Sequence, residues 1–376
     1  DLPFVDDPVQ IGVVCDWSGP SGLAGFLADG VMGFAEWYFN EKQGGIKVGD
    51  VRRPVKFIKA DNQGSVAMAG AGALKLVQQE KVTAVTMGGS AQSFGYPIVE
   101  VTDPADTAYF AYFGDPPLFQ DRKWTVATFF NPPARSELCA KLIVDKLHAK
   151  TVGVLCYDID TERQMVRWLK DELKALDPEV RIVYEQYPPI SVTDMSPYLT
   201  KIKYENPDVL VTALTQNQEM ALAKVIMELG GWGKMVHVGL TESASFLGIE
   251  SSPGADGSYV PAVYIPGYGG EGAMEFTRLW TEKADADSTW RKKYSASRSV
   301  PLPNHAVMYN PLLMAVRAVE FAGTDDPAAV AQAARSGKFG VETPLGFIEV
   351  RTDGMSEIPG FYCLVKDGKV TPTEIP

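Results

Sequence analysis

Ile11-Gly12-Val13-Val14-Cys15-Asp16 and, much later, Thr151-Val152-Gly153-Val154-Leu155-Cys156-Tyr157-Asp158 are the two stretches that settle the fold class. Each is short, apolar and rich in β-branched residues, the composition of a strand covered on both faces. Each also opens a series in which strands alternate with helices. In the first series, strand Val9–Cys15 is broken by the loop Asp16-Trp17-Ser18-Gly19-Pro20-Ser21-Gly22. A helix follows with Val31, Phe34, Ala35 and Tyr38 at helical spacing, ending at Gly44-Gly45. Strand Val55–Ala60, helix Val66–Gln79, strand Val82–Met87, a helix near Ser93–Val101, and strands Thr107–Phe113 and Trp124–Phe129 complete it. The second series has helix Thr161–Leu176, strand Arg181–Gln186, helix Met195–Tyr204, strand Asp208–Leu214 and helix Gln218–Leu229, closed by Gly230-Gly231. Strand Met235–Gly239 and a short helix near Ser243–Leu247 end it. The expected class is α/β, with two separate parallel sheets, each covered by helices on both faces.

The tail differs. Gly257–Tyr264 reads as extended, and Ala273–Lys283, Pro303–Ala322 and Pro327–Ser336 as helices. Two short strands, Gly346–Val350 and Gly360–Val365, follow and are expected to form a hairpin through Asp353-Gly354. A helical block placed after the second series suggests that the chain returns to its first half, and that the hairpin crosses back. No Ser/Gly-rich linker marks a boundary, in keeping with ordered crossings rather than one tether.

Size and composition agree. At ~150 residues per domain, 376 residues hold two or three domains. With 45% hydrophobic and 22% charged residues, the chain is an ordinary globular one, and no apolar run approaches the ~20 residues of a bilayer span. Lys and Arg number 35 against 47 Asp and Glu, a net charge of −12, which disfavours nucleic acid and anionic membranes as partners. Three histidines leave little for a His-rich metal site, and neither metal nor cofactor is expected. The four cysteines form no C-x-x-C pair. Cys15 and Cys156 read as buried thiols, and Cys139 with Cys156 is the one pairing left open. The first residue is Asp, so a mature chain whose secretory signal was removed is expected.

Several stretches resemble the type I periplasmic solute-binding proteins of ABC transporters, in the branch that binds branched-chain amino acids and related carboxylates. These are Ile11-Gly12-Val13-Val14 with Ser18-Gly19-Pro20, Asn40-Glu41-Lys42-Gln43-Gly44-Gly45-Ile46, and Val55-Lys56-Phe57-Ile58-Lys59-Ala60-Asp61. Val85-Thr86-Met87-Gly88-Gly89-Ser90, Asp194-Met195-Ser196-Pro197-Tyr198-Leu199 before Asn206-Pro207-Asp208-Val209-Leu210, and Tyr259-Val260-Pro261 extend the match nearly end to end. The resemblance implies two doubly wound lobes joined by three crossover segments, near Phe129–Asn131, Gly257–Val260 and Glu342–Gly346. Lobe one is then 1–129 plus 260–342, and lobe two 130–259 plus 343–376. It further implies a ligand in the cleft between lobes, a membrane permease as partner, a monomer, a periplasmic location and no catalysis.

The most informative candidate is Gly88-Gly89-Ser90-Ala91-Gln92. Two glycines after a strand let backbone approach a ligand, and free amides at the next helix start favour an anion. In the resembled family this loop meets the ligand carboxylate; a plain turn with Ser90 as N-cap is the alternative. Phe113-Gly114-Asp115 matches a second ligand loop, except that Asp115 stands where the family has a small or hydroxyl residue. A carboxylate there would repel an anion, so Asp115 points away or binds a cation. Trp17 and Phe26 are expected to wall the pocket, with core capping as the alternative.

In the second lobe, Tyr157, Asp158 and Asp160, then Gln216 and Asn217, then Thr241 and Glu242 follow strands. Amino-acid binders of the family carry a carboxylate where Thr241 stands here, with Glu242 beside it. That tilts the expected ligand from an amino acid toward an aromatic or other non-amino carboxylate, with branched-chain amino acids as runner-up. Asn304 and His305 are outside candidates. An enzyme is disfavoured: Gly70-Ala71-Gly72 lies inside a helix pattern, not after a strand, and Gly88-Gly89-Ser90-Ala91-Gln92 lacks the last glycine of a nucleophile elbow.

Overall fold

The structure is a computed structural model that describes residues 2–18, 22–89, 92–129, 132–189, 191–241, 253–295, 298–358 and 360–375. The first series runs β1 (Val9–Cys15), α1 (Gly22–Glu36, continued by a π turn at Trp37–Lys42), β2 (Ile46–Val48), β3 (Val51–Arg53), β4 (Val55–Asp61), α2 (Val66–Gln78), β5 (Ala84–Met87), α3 (Gly95–Thr102), β6 (Ala108–Ala111) and β7 (Thr125–Ala127). The second runs α4 (Pro132–Lys141), β8 (Thr151–Cys156), α5 (Asp160–Leu176), β9 (Arg181–Gln186), α6 (Ser196–Glu205), β10 (Val209–Ala213), α7 (Gln216–Glu228), β11 (Val236–Gly239) and β12 (Tyr259–Ala262). Then come α8 (Glu271–Ala286), α9 (Ser288–Tyr294), α10 (Pro303–Ala322), α11 (Pro327–Ala334), β13 (Gly340–Thr343), β14 (Gly346–Glu349), β15 (Phe361–Lys366) and β16 (Lys369–Thr373).

The chain forms two compact units. Unit one is 1–131 with 264–359, and unit two is 132–263 with 360–376. The sheet of unit one has the order β4-β1-β5-β6-β7, parallel throughout. On one face, Ala69, Ala73 and Leu76 of α2 and Ile98 and Val99 of α3 pack against Val14, Val85, Tyr109 and Ala111. α1 and α10 also pack on this sheet and on each other. From His305 to Val316 every residue of α10 is buried, the mark of a helix enclosed on all sides.

Unit two carries a sheet of order β16-β15-β12-β11-β10-β8-β9, parallel from β12 to β9 and antiparallel at β15 and β16. Side chains alternate between two buried faces. Val152, Val154, Cys156, Val209 and Val211 meet α4 and α5, while Leu155 and Leu210 meet α6 and α7.

Some expectations change here. β14 pairs with β13, and β15 with β12 and β16, so the expected hairpin between Gly346–Val350 and Gly360–Val365 does not form. The segment 343–359 consequently stays with unit one, and the chain changes units after 359 rather than near Glu342–Gly346. The helix α4 is an addition to the expected elements; its two prolines stand at the helix start, where proline loses no hydrogen bond. Cys139 and Cys156 are not bridged: all four cysteines are free and buried. The short helix expected near Ser243–Leu247 lies outside the described residues.

Candidate functional site

In unit one the chemistry gathers where the parallel strands end. From the last residue of β5 onward the backbone takes positive φ at three successive residues, Met87 (72°), Gly88 (118°) and Gly89 (114°). A side chain at Gly88 would lie 2.4 Å from the Tyr109 hydroxyl, and one at Gly89 would lie 2.2 Å from Asp16 Oδ1. Only glycine satisfies both the dihedral and the space. Tyr109 locks the curl by donating its hydroxyl to the Met87 carbonyl at 2.7 Å. Asn62 joins two strand ends, its Nδ2 donating to Asp16 Oδ1 (2.7 Å) and to the Gly88 carbonyl (3.0 Å).

Asp61, the last residue of β4, organises the loop after β1. The register sets Asp61 beside Cys15, so its carboxylate meets the next residues of that chain. It accepts the Trp17 amide (3.0 Å), the Ser18 amide (3.2 Å), the Ser18 hydroxyl (2.6 Å) and the Gln63 amide (2.9 Å). Desolvation works against its charge, but the Ser18 hydroxyl and these amides outweigh it and hold the carboxyl below its usual range. The loop thereby presents Trp17, which is half-buried. Its indole donates to Asp29 Oδ1 at 2.6 Å, and Lys59, paired with the same Asp29, stands 5.2 Å from the ring centre.

Phe26 instead sits on α1 against Tyr294, 5.3 Å between ring centres, and is 39% exposed. Phe113 packs edge-on to Tyr112 (4.9 Å), which stacks on Phe129 (5.3 Å, 11°). Gly114 is buried beside it. Asp115 is also buried; it accepts from the Gln92 amide, and burial raises its carboxyl above the usual range. The pair answers the question the sequence left about Asp115: a neutral amide side chain is its partner.

In unit two, Tyr157 donates its hydroxyl to Glu162 Oε1 at 2.7 Å. Glu162 is 5% exposed, its Oε2 is buried without a hydrogen bond, and burial raises its carboxyl. Asp158 pairs with Arg163 at 2.6 Å in solvent, and Asp160 is exposed at the start of α5. Gln216 opens α7, Asn217 follows it, and Thr241 is half-buried after β11. Ser90, Ala91 and Glu242 lie outside the described residues. Asn304 is half-buried in the first turn of α10. His305 belongs to the core: it is buried, stacked on Trp280 at 4.2 Å, and accepts the Leu302 amide at Nδ1.

Sequence reading missed Tyr112, Glu162 and a buried network behind the strand ends of unit two. There the Thr212 hydroxyl donates to Glu219 Oε1 (2.7 Å) and stands 2.8 Å from His237 Nε2, while His237 Nδ1 lies 2.9 Å from Ser258 Oγ. Trp232 covers the imidazole at 5.0 Å. Desolvation raises Glu219 to about 7 and lowers His237 to about 3, so the imidazole is neutral and Glu219 keeps its proton up to about neutral pH. The spacing of Tyr157 and Glu162 across a helix start was the one available signal; the network had none.

No group of three or more His, Cys, Asp or Glu able to hold a metal occurs among the described residues, and no described helix is long and apolar enough to cross a membrane.

The sequence profile of the family described as "Periplasmic binding protein" matches residues 8–358. No curated protein matches the chain in sequence. Among solved structures, the chain is similar to the amino acid ABC transporter substrate-binding protein of Pseudomonas fluorescens Pf-5 (TM-score 0.81, 16% identity, 98% of this chain and 96% of that one). It is also similar to a solute binding protein of an ABC transporter from Rhodopseudomonas palustris BisB5 in complex with 3,4-dihydroxybenzoic acid (0.77, 17%, 97% and 95%). A third is the branched-chain amino acid transporter substrate binding protein of Streptococcus pneumoniae in complex with isoleucine (0.77, 18%, 97% and 98%). At these identities the structural likeness shows the fold.

Proposed function

The chain belongs to the periplasmic binding protein family, the solute-binding proteins of ABC transporters, and from that premise we propose that it captures a small organic carboxylate and delivers it to a membrane permease. It does so in the periplasm, as a monomer and without catalysis. The ligand is an aromatic or other non-amino carboxylate. The observation that carries this reading is the Met87-Gly88-Gly89 curl at the end of β5, next to a loop held so that it offers Trp17. Ligands of open α/β sheets bind beyond the carboxyl ends of the strands, where exposed backbone amides suit an anion. Gly89, Ser90, Ala91 and Gln92 hold the carboxylate, with Phe113 and Gly114 beside them. Trp17, Phe26 and Tyr157 wall the ring, and Asp160, Gln216, Thr241 and Glu242 complete the unit-two side.

One observation favours a branched-chain amino acid as a second reading. Glu162, whose Oε1 accepts the Tyr157 hydroxyl and whose Oε2 is buried without a hydrogen bond, is an acceptor suited to an ammonium group. Isothermal titration with benzoate-type acids and with leucine separates the two. Saturable binding of the acids, weakened by roughly 1–2 kcal/mol in Ser90→Ala, supports the first reading. Preference for leucine, lost in Glu162→Gln, supports the second. Binding of neither, nor of any other carboxylate, overturns the proposal.

A further inference from the structure

Unit one holds a cavity of about 360 Å³ within its helical layer. None of the strand-end residues described above lines it. Its floor is aromatic. Phe34 of α1, Phe276 of α8 and Tyr309 of α10 are buried, with ring centres 5.2–5.4 Å apart. Tyr38, one turn beyond Phe34 and parallel to it at 6.4 Å, forms a wall. The volume falls at the lower end of the ~300–1,000 Å³ range of small-molecule sites.

The rim carries the opposite character. Glu271 and Glu275 of α8 and Glu342 of β13 line it with exposed carboxylates. Glu342 Oε1 accepts the Gly272 amide at 2.9 Å, which fixes that side chain over the mouth. Two cations stand against them. Arg317 also lines the cavity, but its charge is matched by its own partner Glu320, and its guanidinium lies 5.4 Å from the Phe39 ring. Arg278, at the exposed surface, divides its charge between Glu275 (3.3 Å) and Glu282 (3.5 Å), and such surface attraction is weak. The rim is therefore net negative. Aromatic faces beneath carboxylates suit one ligand chemistry: a positive charge on an apolar body, drawn by the acids and by the ring quadrupoles.

We propose that this cavity binds a small organic ammonium ion, with its hydrocarbon part on Tyr38, Phe276 and Tyr309 and its charge at Glu271 and Glu342. This site is separate from the carboxylate site proposed above and does not depend on it.

The test is isothermal titration of the whole chain with phenethylammonium chloride, with 2-phenylethanol as the uncharged counterpart. The proposal expects saturable binding of the ammonium and none of the alcohol. The double variant Glu271→Gln/Glu342→Gln keeps a side-chain carbonyl oxygen to accept the Gly272 amide. It should bind roughly tenfold or more weakly with an unchanged circular dichroism spectrum. Leu313→Phe, which fills the cavity from α10, should abolish binding, whereas Trp17→Ala should leave it within about twofold. No saturable heat up to about 10 mM, equal binding of the alcohol, an unaltered affinity in the double variant, or loss in Trp17→Ala would each overturn it.

Discussion

Trp17 and Asp29 are tied by a 2.6 Å hydrogen bond from the indole to the carboxylate, which fixes a loop side chain to the body of α1. The ring is thus held in one orientation before any ligand arrives. A preorganised aromatic wall loses little side-chain freedom on binding.

If that wall faces the ligand, Trp17→Ala should weaken an aromatic carboxylate more than an aliphatic one of equal area. The difference should be about 0.5–1.5 kcal/mol, the scale of an aromatic pair beyond its burial. Asp29→Ala should weaken the same ligand less, because the ring remains but loses its tether. Calorimetric titration of both variants checks this; identical losses for the two ligand classes would count against the aromatic wall.

Gly89→Ala should destabilise unit one by about 2 kcal/mol or more, since it adds both an unfavourable dihedral at φ 114° and a contact at 2.2 Å with Asp16. Urea unfolding reads this directly. A wild-type midpoint would mean that the curl after β5 is not as tight as described.

The Glu219–His237 pair predicts a pH dependence with opposed parts. Burial raises Glu219 from 4.5 to about 7, so between those values the folded state keeps a proton that the unfolded state has released. Its contribution is full below pH 4.5 and is lost as pH rises to about 7. Burial lowers His237 from 6.5 to about 3, so its contribution is present above pH 6.5 and is lost as pH falls toward 3. His237→Gln should leave stability falling from pH 4.5 to 7, and Glu219→Gln should leave it rising from pH 3 to 6.5, each by roughly 1–3 kcal/mol. Urea midpoints across this range measure both. The same profile in wild type and both variants would refute the pairing.

All four thiols should be inert in the folded protein. Burial pushes Cys15, Cys139 and Cys363 up to about 12 and Cys156 well above its usual value. A chromogenic thiol reagent at pH 8 should react only after denaturant is added. Stoichiometric reaction of a native thiol would place that cysteine at the surface.

The strands were legible because both sheets are covered on both faces, which forces continuous apolar runs such as Ile11–Cys15 and Val152–Cys156. The helix α4 was not, although its two prolines stand at the helix start, where proline loses no hydrogen bond. Nor was the pairing of Gly346–Glu349. A short strand states its own conformation, but its partner depends on which neighbour the chain brings alongside, here Gly340–Thr343. In the candidate site, Gly88-Gly89 was readable because few residues but glycine tolerate that backbone. The hub at Asp61 was not, because it exists only through the parallel register of β1 and β4.

The sequence by itself determined the α/β class, the two strand–helix series and the glycine curl after β5, all of them consequences of local conformation and burial along neighbouring residues. The tertiary structure alone decided that Trp17 is tied to Asp29, that His305 stacks in the core on Trp280, that His237 meets Glu219 through Thr212, and that Phe34, Phe276 and Tyr309 floor one cavity. Those relationships join residues that the chain itself does not set side by side. Hydrogen bonds and ring contacts act only over a few ångströms, so folding must bring such partners together before any of these contacts exists.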